Sequence, residues 1–142
     1  NSSKREPAKT LTARDSVWSL AFSPDGKYLV AGQAGMNNVV TIWNTSDWSV
    51  SQTIDTGEEN RALVFSPDGK HLLIAQSNGK VNLYATNDWK LKAAARFNLD
   101  PKGEQAWDTG DMPLAVAFGP QNKRFAASNY DGDVVVCQFQ DN

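Results

Sequence analysis

One cysteine and one histidine in 142 residues leave little room for the chemistry those residues usually carry. Cys137 alone has no partner for an intrachain disulfide and cannot supply a cysteine-based zinc cluster. Nucleophilic catalysis of the Cys/His or Ser/His/Asp kind would have to run through Cys137 or His71, and an internal repeat accounts for both positions. No apolar run approaches the roughly 18 residues of a membrane-spanning helix. A basic stripe, the usual mark of a nucleic-acid surface, is missing too: 14 Lys and Arg stand against 16 Asp and Glu, a formal charge of −2. The early basic residues Lys4, Arg5, Lys9 and Arg14 have Glu6 and Asp15 among them and read as a solvated leader over residues 1–7 and just beyond. There is no glycine-rich phosphate loop and no metal-ligand spacing. The expectation is therefore no catalytic residue, metal or cofactor, and no nucleic-acid or membrane partner. Residue 1 is not methionine and no signal-peptide pattern follows it, so it is expected to begin a processed product or an excerpt, in an intracellular, cytoplasmic setting.

What the chain does have is repetition. A composition 40% hydrophobic and 21% charged suits a folded core. Through it run Phe22-Ser23-Pro24-Asp25-Gly26-Lys27, then Phe65-Ser66-Pro67-Asp68-Gly69-Lys70, then a worn third copy, Phe118-Gly119-Pro120-Gln121-Asn122-Lys123. The copies lie 43 and 53 residues apart. A period of about 40–45 residues belongs to radial arrays of four-stranded blades, whose units cannot bury their faces alone.

Aligned on that phenylalanine, each repeat divides into strands. Leu20, Leu63 and Val116 stand two residues before the Phe and share its face. On the other face are Ser19, Ala62 and Ala115, small enough for an innermost strand. Pro-Asp-Gly-Lys is turn chemistry: Pro presets φ, Asp bonds local backbone and Gly takes positive φ. A second, mostly apolar strand follows (28–31, 71–74, 124–127), then a turn at Asn37-Asn38, Asn78-Gly79 or Asp131-Gly132. The third strand runs 40–43, 81–84 and 134–137, and a fourth is expected over 48–54 and 89–97. The strand-three aromatic position follows the Phe by 21, 19 and 19 residues, so only the first repeat carries an insertion, two residues near Gln33-Ala34-Gly35-Met36.

This pattern resembles the WD40 repeat family. The residues that carry it are Val17-Trp18-Ser19-Leu20-Ala21-Phe22-Ser23-Pro24-Asp25-Gly26-Lys27-Tyr28-Leu29 and Ile42-Trp43-Asn44, and the likeness spans about 8–139. It implies an all-β fold of four-stranded antiparallel propeller blades, three repeats at about 8–47, 48–88 and 89–140. The family's Gly-His dipeptide is missing, Trp43 is followed by Asn44 instead of Asp, and the equivalent Trp is Tyr84 and then Cys137. The buried Asp-His-Ser-Trp network common in the family therefore cannot form in full, and the blades are expected to be held mainly by apolar packing. Leu11 stands eleven before Phe22, as Ile54 stands eleven before Phe65, so residues 8–11 are expected to be an orphan outer strand. The chain ends after a third strand. Three blades do not close a ring, so another chain or a second copy is expected to complete it.

The resemblance also implies a protein or peptide partner, bound at loops near 33–39, 57–61, 76–79, 98–112 and 128–132. Arg61 breaks an apolar column with Trp18 and Leu114 at the start of an innermost strand, and Glu58, Glu59 and Asn60 precede it. Together they are candidate rim contacts, the alternative being a solvated loop with a snorkelling Arg. Trp107 sits in the longest irregular stretch, 98–112, as an anchor or as a cover for a blade edge; Asp131 is a further rim candidate. Trp48 and Trp89 each follow an Asp and are expected to open the outer strand, or else to form an exposed aromatic pair. Asn44-Thr45-Ser46 and Asn1-Ser2-Ser3 match a glycosylation pattern and read as turn and tail. The competing functions are a lactonase-like propeller enzyme and a structural segment that completes a ring.

Overall fold

A computed structural model describes residues 7–96, 113–130 and 132–139. The described residues hold eleven strands in three antiparallel sheets. Blade 1 is β1 (Ser16–Phe22), β2 (Tyr28–Ala34), β3 (Val39–Asn44) and β4 (Val50–Asp55). Blade 2 is β5 (Asn60–Phe65), β6 (His71–Gln76), β7 (Lys80–Ala85) and β8 (Leu91–Arg96). Blade 3 has β9 (Pro113–Phe118), β10 (Arg124–Asn129) and β11 (Val134–Gln138). Within each blade the strands pair in chain order, with the first innermost. Phe22, Phe65 and Phe118 pair with Leu29, Leu72 and Phe125, which in turn pair with Trp43, Tyr84 and Cys137. The repeat alignment is thus the ladder register itself.

The turn after each inner strand explains why the phrase recurs. Ser23 Oγ donates to Asp25 Oδ1 at 2.6 Å and accepts from the Tyr28 amide, while Asp25 Oδ1 also accepts from the Lys27 amide. Ser66, Asp68, Lys70 and His71 repeat those bonds, and Gly26 and Gly69 take φ of 73° and 72°. Both carboxyls titrate below the ordinary value. For Asp25 the Ser23 hydroxyl is the main cause; for Asp68 desolvation opposes the shift and is outweighed by the bonds from Ser66 and Lys70. In the worn copy Gly119 and Gln121 cannot make these bonds, and a short 3-10 turn (Pro120–Asn122) puts Gln121 and Asn122 at φ of 62° and 58°.

The blades stack through apolar faces. Val30, Val40 and Ile42 of blade 1 meet Leu63, Phe65 and Leu72 of blade 2. Leu73, Val81 and Leu83 on the other side of blade 2 meet Phe125, with Val116 and Phe118 beside it, in blade 3. The junction is tight near the axis: a Cβ on Gly32 would press on Ser19 Oγ and meet Leu63 Cδ2 at 3.0 Å and Asn60 Cβ at 3.1 Å.

Three expectations need correction. Residues 8–11 form no strand; a strand requires a ladder partner, and none is offered to them among the described residues. The outer strands begin at Val50 and Leu91, later than expected, because Trp48 and Trp89 lie in left-handed turns at φ of 60° and 55°. In those turns Asp47 and Asp88 accept the amides of Ser49 and Lys90. Trp89 therefore does not open its strand, and it is not one of an exposed pair either. Its ring meets Tyr28 edge-on at 5.4 Å and Phe65 at 6.5 Å, as a wedge between blades.

Candidate functional site

The inner strands share one irregularity. Ladder register shifts between Val17 and Ser19, between Asn60 and Ala62, and at Ser128/Asn129 opposite Pro113 and Ala115. In each blade one residue of the inner strand is extra: Trp18, Arg61 and Leu114. A bulge of this kind turns its side chain out of the alternation and is a recurrent device for aiming residues at a site. The three therefore form a strip across the strand-start end of the blades, with Trp18 and Leu114 both 46% exposed.

Arg61 is fixed from two sides. Its guanidinium carbon lies 4.0 Å above the centroid of the Trp18 ring, a contact between blades worth about 0.5–2 kcal/mol depending on its desolvation. Glu59 Oε2 holds Nη2 at 3.2 Å. The pair presents a flat guanidinium-on-indole surface with the Glu59 carboxylate at its edge. Glu58 is half-buried beside it, and its carbonyl accepts from Thr56 Oγ1.

Asn60 departs from its expected role. It is completely buried, and its Nδ2 donates to Gln33 O at 3.0 Å and Val39 O at 3.4 Å. The bulge turns Asn60 into blade 1, so it ties the blades together and presents nothing at the rim. Trp107, the rest of 98–112, and Asp131 lie outside the described residues.

A set of buried amides under the rim escaped the sequence reading. Gln33, Gln76 and Asn129 each stand eleven residues after the repeat Phe, at the end of the second strand, and all are buried. Gln33 Oε1 accepts the Asp15 amide and its Nε2 donates to Thr41 Oγ1 at 2.7 Å. Gln76 Oε1 accepts from Asn82 Nδ2, and Asn129 Oδ1 accepts the Asp133 amide. These side chains pin the rim loops by hydrogen bonds, alongside the apolar packing between blades. The signal was present: an amide at one fixed offset in all three copies. Among the described residues no group of three or more His, Cys, Asp or Glu is gathered.

Known proteins resemble parts of this chain. Residues 5–44 match the WD40 family model, described as WD domain, G-beta repeat. WD repeat-containing protein 62 of Sus scrofa is 53% identical over 36 residues, 25% of this chain. Mitogen-activated protein kinase-binding protein 1 of Homo sapiens is 45% identical over 38 residues, 27% of this chain. The chain spans 2% of the length of either relative. The β-propeller domain of Cps50 (Swd1) from Myceliophteria thermophila superposes with a TM-score of 0.76 at 19% identity, covering 94% of this chain and 37% of that one. A chain of the mitotic checkpoint complex gives 0.69 at 17% identity, covering 87% and 37%. At such identities the structures establish the fold alone.

Proposed function

We propose, for a chain that belongs to the WD40 repeat family and builds three blades of a β-propeller, a non-enzymatic role as a scaffold that holds a protein or peptide at its rim. The observation that carries this is the bulge strip. Backbone geometry is alike in three blades while the presented side chain changes from Trp18 to Arg61 to Leu114. Trp and Arg are the residue types that most often dominate binding energy at protein interfaces. Arg61 is already held by Trp18 and Glu59, so little rotamer freedom is lost when a partner docks. Glu58 and Glu59 give the rim an acidic margin that favours a partner with a basic or hydrogen-bond-donating residue beside an apolar one. Trp107 and Asp131 are proposed as further contacts of the same rim.

The test is a peptide selected from a random display library against the whole chain. Arg61→Glu and Trp18→Ala are each expected to weaken its binding at least tenfold while the unfolding midpoint stays close to that of the parent. Trp107→Ala is expected to act in the same direction. Loss of binding on Trp48→Ala, with Arg61→Glu and Trp18→Ala neutral and all three folded, would place the site elsewhere.

A further inference from the structure

The two junctions between blades share one plan and are filled to different extents. Along the outer strands of the first, Ile54 closes the space from blade 1 and Tyr84 from blade 2, at 8% and 6% exposure. The Trp89 indole joins the same cluster, wedged between Tyr28 and Phe65. Ladder register names the counterparts at the second junction. Ile54 pairs with Val40 as Ala95 pairs with Val81, and Tyr84 pairs with Leu72 as Cys137 pairs with Phe125. Trp89 stands five residues after Tyr84, and five after Cys137 the sequence has Asn142. A branched alkyl group, a phenol ring and an indole thus give way in the repeat to a methyl group, a thiol and an amide.

The result is a cavity of about 360 Å³ between blades 2 and 3, walled by Leu83, Ala93 and Ala95 on one side and by Phe125, Cys137 and Phe139 on the other. The two phenylalanines do not make up the loss. Phe139 lies 5.2 Å from Phe125 and 6.0 Å from Phe118, so the rings stack within blade 3 and leave the gap open. Ala95 is exposed where Ile54 is buried, so the space communicates with solvent past the outer strand of blade 2. Gln138, the one side chain with a hydrogen-bonding amide among the described lining residues, is itself exposed. Small-molecule sites commonly measure roughly 300–1,000 Å³ and are mostly apolar. A wall without charged groups disfavours an ionised occupant.

We propose that this cavity binds a small, flat, uncharged aromatic molecule of indole size. The chain's own first junction supplies the chemistry of the occupant, because there the equivalent space is taken by the rings of Trp89 and Tyr84. The cavity lies between two blades that this chain itself supplies, and the small size of Ala95 and Cys137 is its cause. None of Trp18, Arg61 and Leu114 lines it, so the proposal does not rest on the rim reading.

Cys137 is the chain's only cysteine and stands half-buried in the wall, so its alkylation by iodoacetamide reports occupancy in the whole chain. Indole is the probe, with an expected Kd on the order of 0.1–1 mM. At about four times that Kd, alkylation is expected to slow about fivefold. Ala95→Ile restores the residue of the first junction; it is expected to fill the cavity, raise Tm and abolish saturation-transfer NMR signals from indole. Ala93→Leu is the second filling variant should Ala95→Ile unfold, with circular dichroism as the control. An alkylation rate that indole leaves unchanged overturns the proposal, and so does indole binding that survives filling. Protection by indole that emerges only in Trp107→Ala overturns it in favour of the chain's own indole as occupant. Protection by the display-selected peptide without protection by indole overturns it in favour of a partner's side chain.

Discussion

Phe22 and Phe65 are one residue of one repeated phrase in two surroundings, and replacing each by alanine measures what a neighbouring blade contributes. Phe65 is 7% exposed and packs with Leu72, Ile74 and the Trp89 ring. Its removal leaves an enclosed cavity, and such Phe→Ala changes cost about 3–5 kcal/mol. Phe22 is 62% exposed, so folding removes little more than a third of its surface from water. Full burial of a phenylalanine is worth about 1.5–3 kcal/mol, which leaves roughly 0.5–1 kcal/mol at stake in an isolated copy. No cavity term is added, because the face is open. Domains are stable by only about 5–15 kcal/mol, and 1 kcal/mol moves the midpoint of a chain this long by about 3–5 °C. Phe65→Ala is therefore expected to lower Tm by roughly 10–20 °C and Phe22→Ala by less than about 5 °C. Thermal and urea unfolding, followed by circular dichroism in dilute solution, reads both. Equal losses from the two variants would refute the assignment of blade 1's outer face as uncovered.

Three other perturbations probe the turns and the amide set. Gln33→Leu keeps the volume but strands the Asp15 amide and the Thr41 hydroxyl; a cost of about 1–3 kcal/mol and faster hydrogen exchange at the Asp15 amide are expected, and an unchanged exchange rate counts against the role given to Gln33. The depressed Asp25 and Asp68 carboxyls contribute stability that is full above their unfolded value of 3.8 and is lost as pH falls through the lower folded values. Stability should therefore decline below about pH 4, and Asp68→Asn should flatten that decline in a urea-unfolding series against pH. In the third turn Gln121 is held at φ of 62°; Gln121→Gly is expected to raise stability by about 0.5–1 kcal/mol, whereas a loss would mean that its side chain holds the turn.

Strand order, register and the Ser-x-Asp turns could be read from the sequence because their causes are local. An Asp two residues after a Ser, followed by Gly, admits few backbone solutions. The constant spacing from Phe22, Phe65 and Phe118 to Trp43, Tyr84 and Cys137 fixes which residues face each other. The missed features depend on a second element. A bulge is a mismatch between two strands, so nothing in Asn60-Arg61 by itself says that Asn60 turns inward to bond Gln33 and Val39 carbonyls. The hydrophobic spacing at Leu11 matched Ile54 closely, yet Ile54 is a strand residue because β3 pairs with it through Val40. Among the described residues no such edge is offered to Leu11.

Within one chain the three blades also separate what packing requires from what it leaves free. The amide at the end of the second strand is Gln, Gln and Asn, and each is buried and bonded to its own rim loop. A residue that must satisfy buried partners can change little from blade to blade. The bulge residue is Trp, Arg and Leu, which differ in size, charge and hydrogen-bonding capacity, yet the bulge recurs in all three ladders. Its geometry therefore does not depend on which side chain is there. The residue before it also varies, Val17, Asn60 and Pro113, so the bulge belongs to the pairing of the two strands and the outward side chain can change without loss of the blade. That combination, a fixed frame and an interchangeable contact residue, is what a recognition surface needs. It is also why Trp18, Arg61 and Leu114 are better candidates for partner contacts than the more conspicuous Trp89, which packs between blades, and Trp48, which shares its turn.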